Sequence, residues 1–189
     1  MLDSLERTEL IQIARKSIAR GYSRIFPGPP PEQDWAPELL EPRATFTTLK
    51  LAGELRGCCG TVEPRRPLAH DVWHNAWTSA NADPRFWPVS PAELDALEIS
   101  ISVLTPLEPI AAGNESDLVE SLEPGVDGVL LRCGAAQAVF LPAVWESLPD
   151  AGELIAHLKC KAGWSPTFWS SDMTAFRFRT ETFSSTRDR

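Results

Sequence analysis

Leu10, Ile11, Ala14, Ser17 and Ile18 return to one side of a helical wheel, which predicts a helix from about Leu5 to Arg20, capped by Asp3 or Ser4 and ended by Gly21. The period then breaks. From Phe26 to Pro42 the chain carries Pro27, Pro29, Pro30, Pro31 and Pro37, whose fixed φ and missing amide hydrogens exclude a helix or central strand. This stretch reads as a covering loop that orders by packing Trp35 and Leu39 on the body. Thr45 to Leu49 is a β-branched and aromatic run, turned at Gly53 into a second run from Leu55 to Cys59, a predicted hairpin. Pro67 suits a first helical turn, and Leu68 to Ala80 follows at helical spacing. Leu68, Ala69, Val72, Trp73, Ala76, Trp77 and Ala80 share one arc, and His70, Asp71, His74, Asn75 and Thr78 are expected to point outward.

Ser90 and Glu93 form a capping box with Pro91 between them, predicting a short helix through Leu97. Glu98 to Leu104 alternates, with Ile99, Ile101 and Val103 on one face, and reads as a strand. A helix from Asn114 or Ser116 to Leu122, a hairpin of Val129–Arg132 and Ala138–Leu141, a helix from Asp150 to Ala162 and a closing strand Ala175–Thr180 complete the chain. Helices interleave with hairpin-connected strands without a βαβ rhythm, so the expected fold class is α+β with a largely antiparallel sheet and packed helices.

Length and charge narrow the function classes. The 189 residues suit one domain, and a net charge of -8 opposes nonspecific attraction to nucleic acid or to an anionic membrane surface. No apolar run is long enough to cross a bilayer and the first residues lack a signal-peptide pattern, so the chain is placed in the cytoplasm. Cys58, Cys59, Cys133 and Cys160 contain no Cys-x-x-Cys pair, and free thiols are expected in a reducing compartment. His70 and His74 have metal-ligand spacing but no third ligand fixed by sequence, so no metal is assigned. Phosphate-binding glycine loops and the Gly-x-Ser-x-Gly elbow are absent, and no cofactor is assigned.

The segment Leu55-Arg56-Gly57-Cys58-Cys59-Gly60-Thr61 is the densest candidate for chemistry. Gly57 and Gly60 allow positive φ and close backbone approach, a place where an anion could dock on amide hydrogens. On a strand, Cys58 and Cys59 point to opposite faces, so at most one faces a ligand while the other packs. A thiol with pKa ~8.5 is about 3% thiolate at pH 7, whereas one near ~6.5 is about three-quarters thiolate; Arg56 is the local cation that could produce such a shift. Glu98 could orient Arg56. Asp83 and Arg85 read as a pair locking a helix-end turn, His157 as a helix-surface residue, and Lys159 and Lys161 as decoration of a helix end.

Gly53-Glu54-Leu55-Arg56-Gly57-Cys58-Cys59-Gly60-Thr61, Asp83-Pro84-Arg85-Phe86, Glu93-Leu94, Glu98 to Leu104, Gly125-Val126-Asp127-Gly128, Phe140-Leu141-Pro142 with Trp145, and His157-Leu158-Lys159 occur in the order in which the AMMECR domain family carries similar motifs. The chain resembles that family, also called AmmeMemoRadiSam system protein A, over nearly its whole length as a single domain. The resemblance implies a main lobe and a smaller lobe, with the Leu-Arg-Gly-Cys segment at a cleft between them. It also implies action beside a Memo-like protein and a radical S-adenosylmethionine protein. It transfers Arg56, Gly57, Cys58, Gly60 and Thr61 to the presumed site. Cys59 departs from the pattern, standing where the family has isoleucine or a similar apolar residue.

Two functions follow as expectations. In the first, Cys58 is a nucleophile or covalent acceptor, Arg56 binds a small-molecule anion, Glu98 orients it, and Gly57, Gly60 and Thr61 contact the substrate. In the second, the chain is a noncatalytic adaptor that holds its partners through the same cleft and through exposed residues among its seven tryptophans.

Overall fold

A computed structural model describes residues 1–21, 25, 26, 28, 30 and 35–185. Two compact units emerge, one of Met1–Leu104 with the segment from Glu181, the other of Thr105–Thr180. Each is built on a four-stranded antiparallel sheet with helices, an α+β architecture.

In the first unit the strands β1 (Thr45–Leu51), β2 (Glu54–Gly60), β3 (Leu97–Leu104) and β8 (Thr180–Ser184) lie in the order β2-β1-β3-β8. Helix α1 (Ser4–Arg20) begins at a capping box of Asp3 and Glu6, and α3 (Leu68–Asn81) packs beside it. Leu10, Ala14 and Ile18 of α1, Val72, Trp73 and Ala76 of α3, and Leu49, Ile99, Ile101 and Val103 of the sheet form one buried cluster. Each Leu, Ile or Val side chain among them contributes about 1.5–3 kcal/mol by leaving water. Ser17 Oγ donates to the Trp73 carbonyl at 2.6 Å, linking the two helices.

The proline-rich stretch needs a correction. A short helix α2 (Pro37–Leu40) forms there, because Pro37 occupies the first helical turn, where no amide hydrogen is needed. Trp35 and Leu39 are buried in the core as expected. The expectations for Pro27, Pro29 and Pro31 lie outside the described residues.

The second unit orders its strands β4-β7-β5-β6, from β4 (Glu108–Ile110), β5 (Gly128–Cys133), β6 (Ala136–Phe140) and β7 (Thr174–Phe178). Helices α4 (Glu115–Ser121) and α5 (Ala151–Lys161) cover it around Leu131, Leu154, Leu158 and Trp145, whose indole donates to the Asp127 carbonyl at 2.7 Å. His157 is exposed, but Lys159 does not decorate the helix end. Its side chain is fully buried, ion-paired to Glu115 at 2.7 Å, bonded to the Pro166 carbonyl and 5.8 Å from the Trp169 ring. The carboxylate and the indole face replace the water such an ammonium otherwise demands.

Candidate functional site

Strand alternation fixes the faces of the Arg56–Thr61 segment. Thr48 pairs with Cys58 and Phe46 with Gly60, whereas Thr47 pairs with Cys59 and Leu49 with Gly57. Gly57 and Cys59 therefore face α3 with buried Leu49 and Thr47, and Cys58 and Gly60 face the other way.

Neither glycine has the positive φ that the sequence suggested; both are required by close approach. A Cβ on Gly57 would lie 2.1 Å from the Ser79 carbonyl oxygen, and one on Gly60 would lie 2.3 Å from the Phe46 ring. The Thr61 hydroxyl is likewise committed, donating to Asp71 at 2.7 Å.

β2 is an edge strand, and the turn after α3 covers its edge at Cys58. The Cys58 amide donates to Asp83 Oδ2 at 2.9 Å, and the Cys58 carbonyl accepts a longer bond from Arg85 Nη2 at 3.4 Å. Arg85 closes on both oxygens of Asp83 through Nε at 3.0 Å and Nη2 at 2.7 Å. Such a cap removes the unpaired backbone that invites strand addition.

Arg56 is engaged a few residues away. Its guanidinium grips Glu93 at 2.8 and 3.3 Å and donates to the carbonyls of Trp87 at 2.8 Å and Pro88 at 3.3 Å. Glu93 also accepts the Ser90 amide at 2.7 Å, so one carboxylate caps the 3-10 turn Pro91–Ala96 and holds Arg56. This corrects the expected pairing: Glu98 sits on β3 opposite Lys50, and an anion would have to displace Glu93 to reach Arg56.

The Arg85 guanidinium holds the Asp83 carboxyl down to about 2, from an ordinary 3.8, and the Arg56 guanidinium does the same to Glu93, from 4.5 to about 2. Both folded-state values lie below the ordinary ones, so the stability they contribute is complete above about pH 4.5 and is lost as pH falls toward about 2. Denaturant midpoints measured across that range should fall steeply for the wild type and less steeply for an Asp83→Asn, Glu93→Gln double variant. Equal slopes would show that the pairs are not coupled to folding.

The same helix supplies a polar stripe, two of whose members, Asp71 and Asn75, hydropathy had placed outward. Asp71, Asn75 and Ser79 are buried and face β1. Asp71 Oδ2 accepts from the Thr45 amide at 3.0 Å and the Thr45 hydroxyl at 2.8 Å; Asn75 donates to the Thr45 carbonyl at 3.0 Å, and Ser79 to the Thr47 carbonyl at 2.8 Å. With Asp83 on Cys58, residues four apart along one line hold the hairpin backbone. That spacing of small polar residues was the signal available in the sequence.

Both thiols are half-buried; burial pushes the Cys59 thiol up, and the Cys58 Sγ lies 3.4 Å from Thr48 Oγ1. The histidines stand elsewhere. His70 meets the Trp35 ring edge-on at 5.5 Å and His74 meets Phe26 at 5.1 Å, and burial lowers the pKa of His74. Among the described residues no His, Cys, Asp and Glu gather in a group that could hold a metal ion.

Of the seven tryptophans, Trp35, Trp73 and Trp145 are buried, Trp77, Trp164 and Trp169 are half-buried, and Trp87 is 82% exposed. The expected set of exposed tryptophans thus contracts to one. Trp87 stands on the turn that Arg56 and Asp83 hold, beside a pocket of ≈ 520 Å³ lined by residues 81–88. Buried Val89 anchors the end of that turn through its amide, which donates to the Ala80 carbonyl at 2.8 Å.

An α+β chain of two antiparallel sheets, with a glycine-containing edge strand locked by two arginine–carboxylate pairs, has close relatives. The AMMECR1 family model matches residues 11–183, and the chain belongs to that family. A protein of Methanothermobacter thermautotrophicus is 35% identical, with 94% of this chain and 93% of that one aligned. One from Thermotoga maritima is 36% identical over 88% of this chain and 92% of its own. The crystal structure of an uncharacterized protein from Pyrococcus horikoshii superposes with a TM-score of 0.84 at 33% identity, covering 93% of this chain and 89% of that one. Among the described residues no helix is long and apolar enough to cross a membrane.

Proposed function

We propose that the chain is a noncatalytic adaptor whose turn between α3 and the 3-10 segment docks a partner protein, either the Memo-like or the radical S-adenosylmethionine protein that the family resemblance implies. The carrying observation is that Trp87 is 82% exposed on a turn held by two ion pairs, Arg56–Glu93 and Arg85–Asp83. A large aromatic ring on a braced turn binds at low entropic cost, and tryptophan is a favoured anchor of protein interfaces. Purified Memo-like and radical S-adenosylmethionine proteins from the same organism, titrated onto wild type and Trp87→Ala, should show an affinity loss of about tenfold or more for at least one of them. Unchanged affinity in the variant would remove the reading.

A second reading keeps Cys58 as a nucleophile or covalent acceptor. It is favoured by a half-buried thiol that lies on the sheet face away from α3 and within reach of the Thr48 hydroxyl. Alkylation of the native protein across a pH series, read by peptide mass spectrometry, should then label Cys58 well before Cys59, whose thiol burial keeps protonated. Protection of Cys58 until unfolding would leave it an architectural residue.

A further inference from the structure

In the Thr105–Thr180 unit, Asp127 is a carboxylate that the fold hides without a counter-ion. It is 2% exposed, and its Oδ2 accepts the Glu123 amide at 2.9 Å, closing the turn of residues 123–127. Among the described residues Oδ1 receives no hydrogen bond, and no cation pairs with either oxygen. Nor is Oδ1 sealed among the enclosed polar atoms that lack a partner, so the small exposure Asp127 keeps includes that atom. The residue lines a pocket of ≈ 390 Å³, within the ~300–1,000 Å³ range of small-ligand sites. A carboxylate enclosed this far without a positive partner is costly. Among the described residues no group of His, Cys, Asp and Glu gathers that could hold a metal ion, so the missing partner is an organic one.

The cations of the same pocket are engaged elsewhere. Arg177 and Arg179, two residues apart at the end of β7, both line it. Arg177 donates to the Ser121 carbonyl through Nη1 at 3.2 Å and meets Glu108 through Nε at 3.5 Å, and Arg179 meets Glu123 through Nη2 at 3.1 Å. Among the described residues that leaves Nη2 of Arg177, and Nε and Nη1 of Arg179, without an acceptor. Glu108 and Glu123 are both more than half exposed, so their hold on the two arginines is weak. Thr105 fixes this side of the pocket: its amide donates to the Arg179 carbonyl and its hydroxyl accepts the Arg179 amide, both at 2.9 Å.

A ligand that satisfies both sides brings an ammonium for Asp127 and a carboxylate for the guanidiniums, whose paired N–H groups match carboxylate geometry. A simple anion would leave Asp127 unpaired and meet its charge; a simple cation would leave the arginine donors unused and meet theirs. We infer that this pocket binds a small zwitterion, an amino acid held with its ammonium on Asp127 and its carboxylate on Arg177 and Arg179. The site shares no residue with the Trp87 turn or with Cys58 and does not depend on either reading of them.

The test titrates the full chain, by ligand-observed nuclear magnetic resonance and then calorimetry, with the standard L-amino acids, β-alanine and γ-aminobutyrate. The best binder is then compared with the amine and the carboxylic acid that remain when either charged group is removed from it. At least one zwitterion should saturate, and both single-charge analogues should bind about tenfold or more weakly. Arg179→Gln changes a side chain 64% exposed and leaves the fold intact; it should weaken the zwitterion about tenfold while leaving the amine unchanged. Asp127→Asn, whose amide oxygen can still accept the Glu123 amide, should weaken the zwitterion and the amine but not the acid, a pattern that a merely structural role would not produce. If circular dichroism shows that this variant does not fold, the ligand series and Arg179→Gln decide. Failure of every zwitterion to saturate at millimolar concentration overturns the inference. So does an acid or an amine that binds as tightly as the zwitterion, or an Arg179→Gln variant with unchanged affinity.

Discussion

Replacing Asp71 with alanine should cost the Met1–Leu104 unit about 4 kcal/mol, because it strands several buried groups at once. Asp71 is 0% exposed, and its carboxylate receives the Thr45 amide and hydroxyl, the Thr61 hydroxyl, the Asn75 amide and, at 3.0 Å, Arg66 Nη1. Alanine offers none of these an acceptor. The Thr45 amide stays buried at the start of β1, and Arg66, with a side chain 35% exposed, loses its counter-ion. Asparagine keeps the shape and one acceptor oxygen but turns an amide toward one of the donors, so Asp71→Asn should cost roughly half as much. Urea denaturation followed by far-ultraviolet circular dichroism measures both. A loss under about 1 kcal/mol for the alanine variant would mean that water replaces the carboxylate and that the network does not hold the hairpin.

Asp71 also shows where sequence reading reached its limit. A period of 3.6 located the helix to within a residue at its end, yet it assigned Asp71 and Asn75 to water because hydropathy scores a polar side chain without its partners. The stripe faces β1 because the Thr45 and Thr47 carbonyls and the Thr45 amide need partners there. Lys159 was misplaced for the same reason, its counter-charge Glu115 lying on another helix. The strands β4 and β8 escaped notice because one has three residues including Pro109 and the other follows β7 after a single residue.

Alternation, by contrast, separated Cys58 from Cys59 correctly, since a period of two leaves no freedom about which face each takes. The partner of Arg56 was not decidable from spacing. Glu93 and Glu98 lie five residues apart, and only the folded turn, where Glu93 also caps Ser90, brings Glu93 to the guanidinium. The Asp83–Arg85 pair was readable as a local turn lock, but its bond to the Cys58 amide joins residues far apart in the chain and had no local signature.

Gly57→Ala should be comparably damaging, by about 3 kcal/mol or more, and for a reason opposite to a lost contact. The added methyl carbon would meet Ser79 O at 2.1 Å and Ser79 C at 3.0 Å, both backbone atoms of α3 that no rotamer change can move. Either β2 lifts from the helix or the helix shifts, and each movement pulls on the same clamps. Cys58 is bonded to Asp83 one residue away, and Arg56 is bonded to Glu93, Trp87 and Pro88 on the other side. The defect should therefore reach the Trp87 turn as well as global stability. Gly53→Ala is the control. Gly53 has φ +87 with nothing within 4 Å of an added Cβ, so its cost is the local strain of a left-handed residue, about 1 kcal/mol. Denaturation of the two variants, with amide hydrogen exchange across residues 82–89, distinguishes the cases. Faster exchange in that stretch is expected for Gly57→Ala and not for Gly53→Ala. If the two variants lose equal stability and exchange alike, the close packing of β2 on α3 is not what positions the turn.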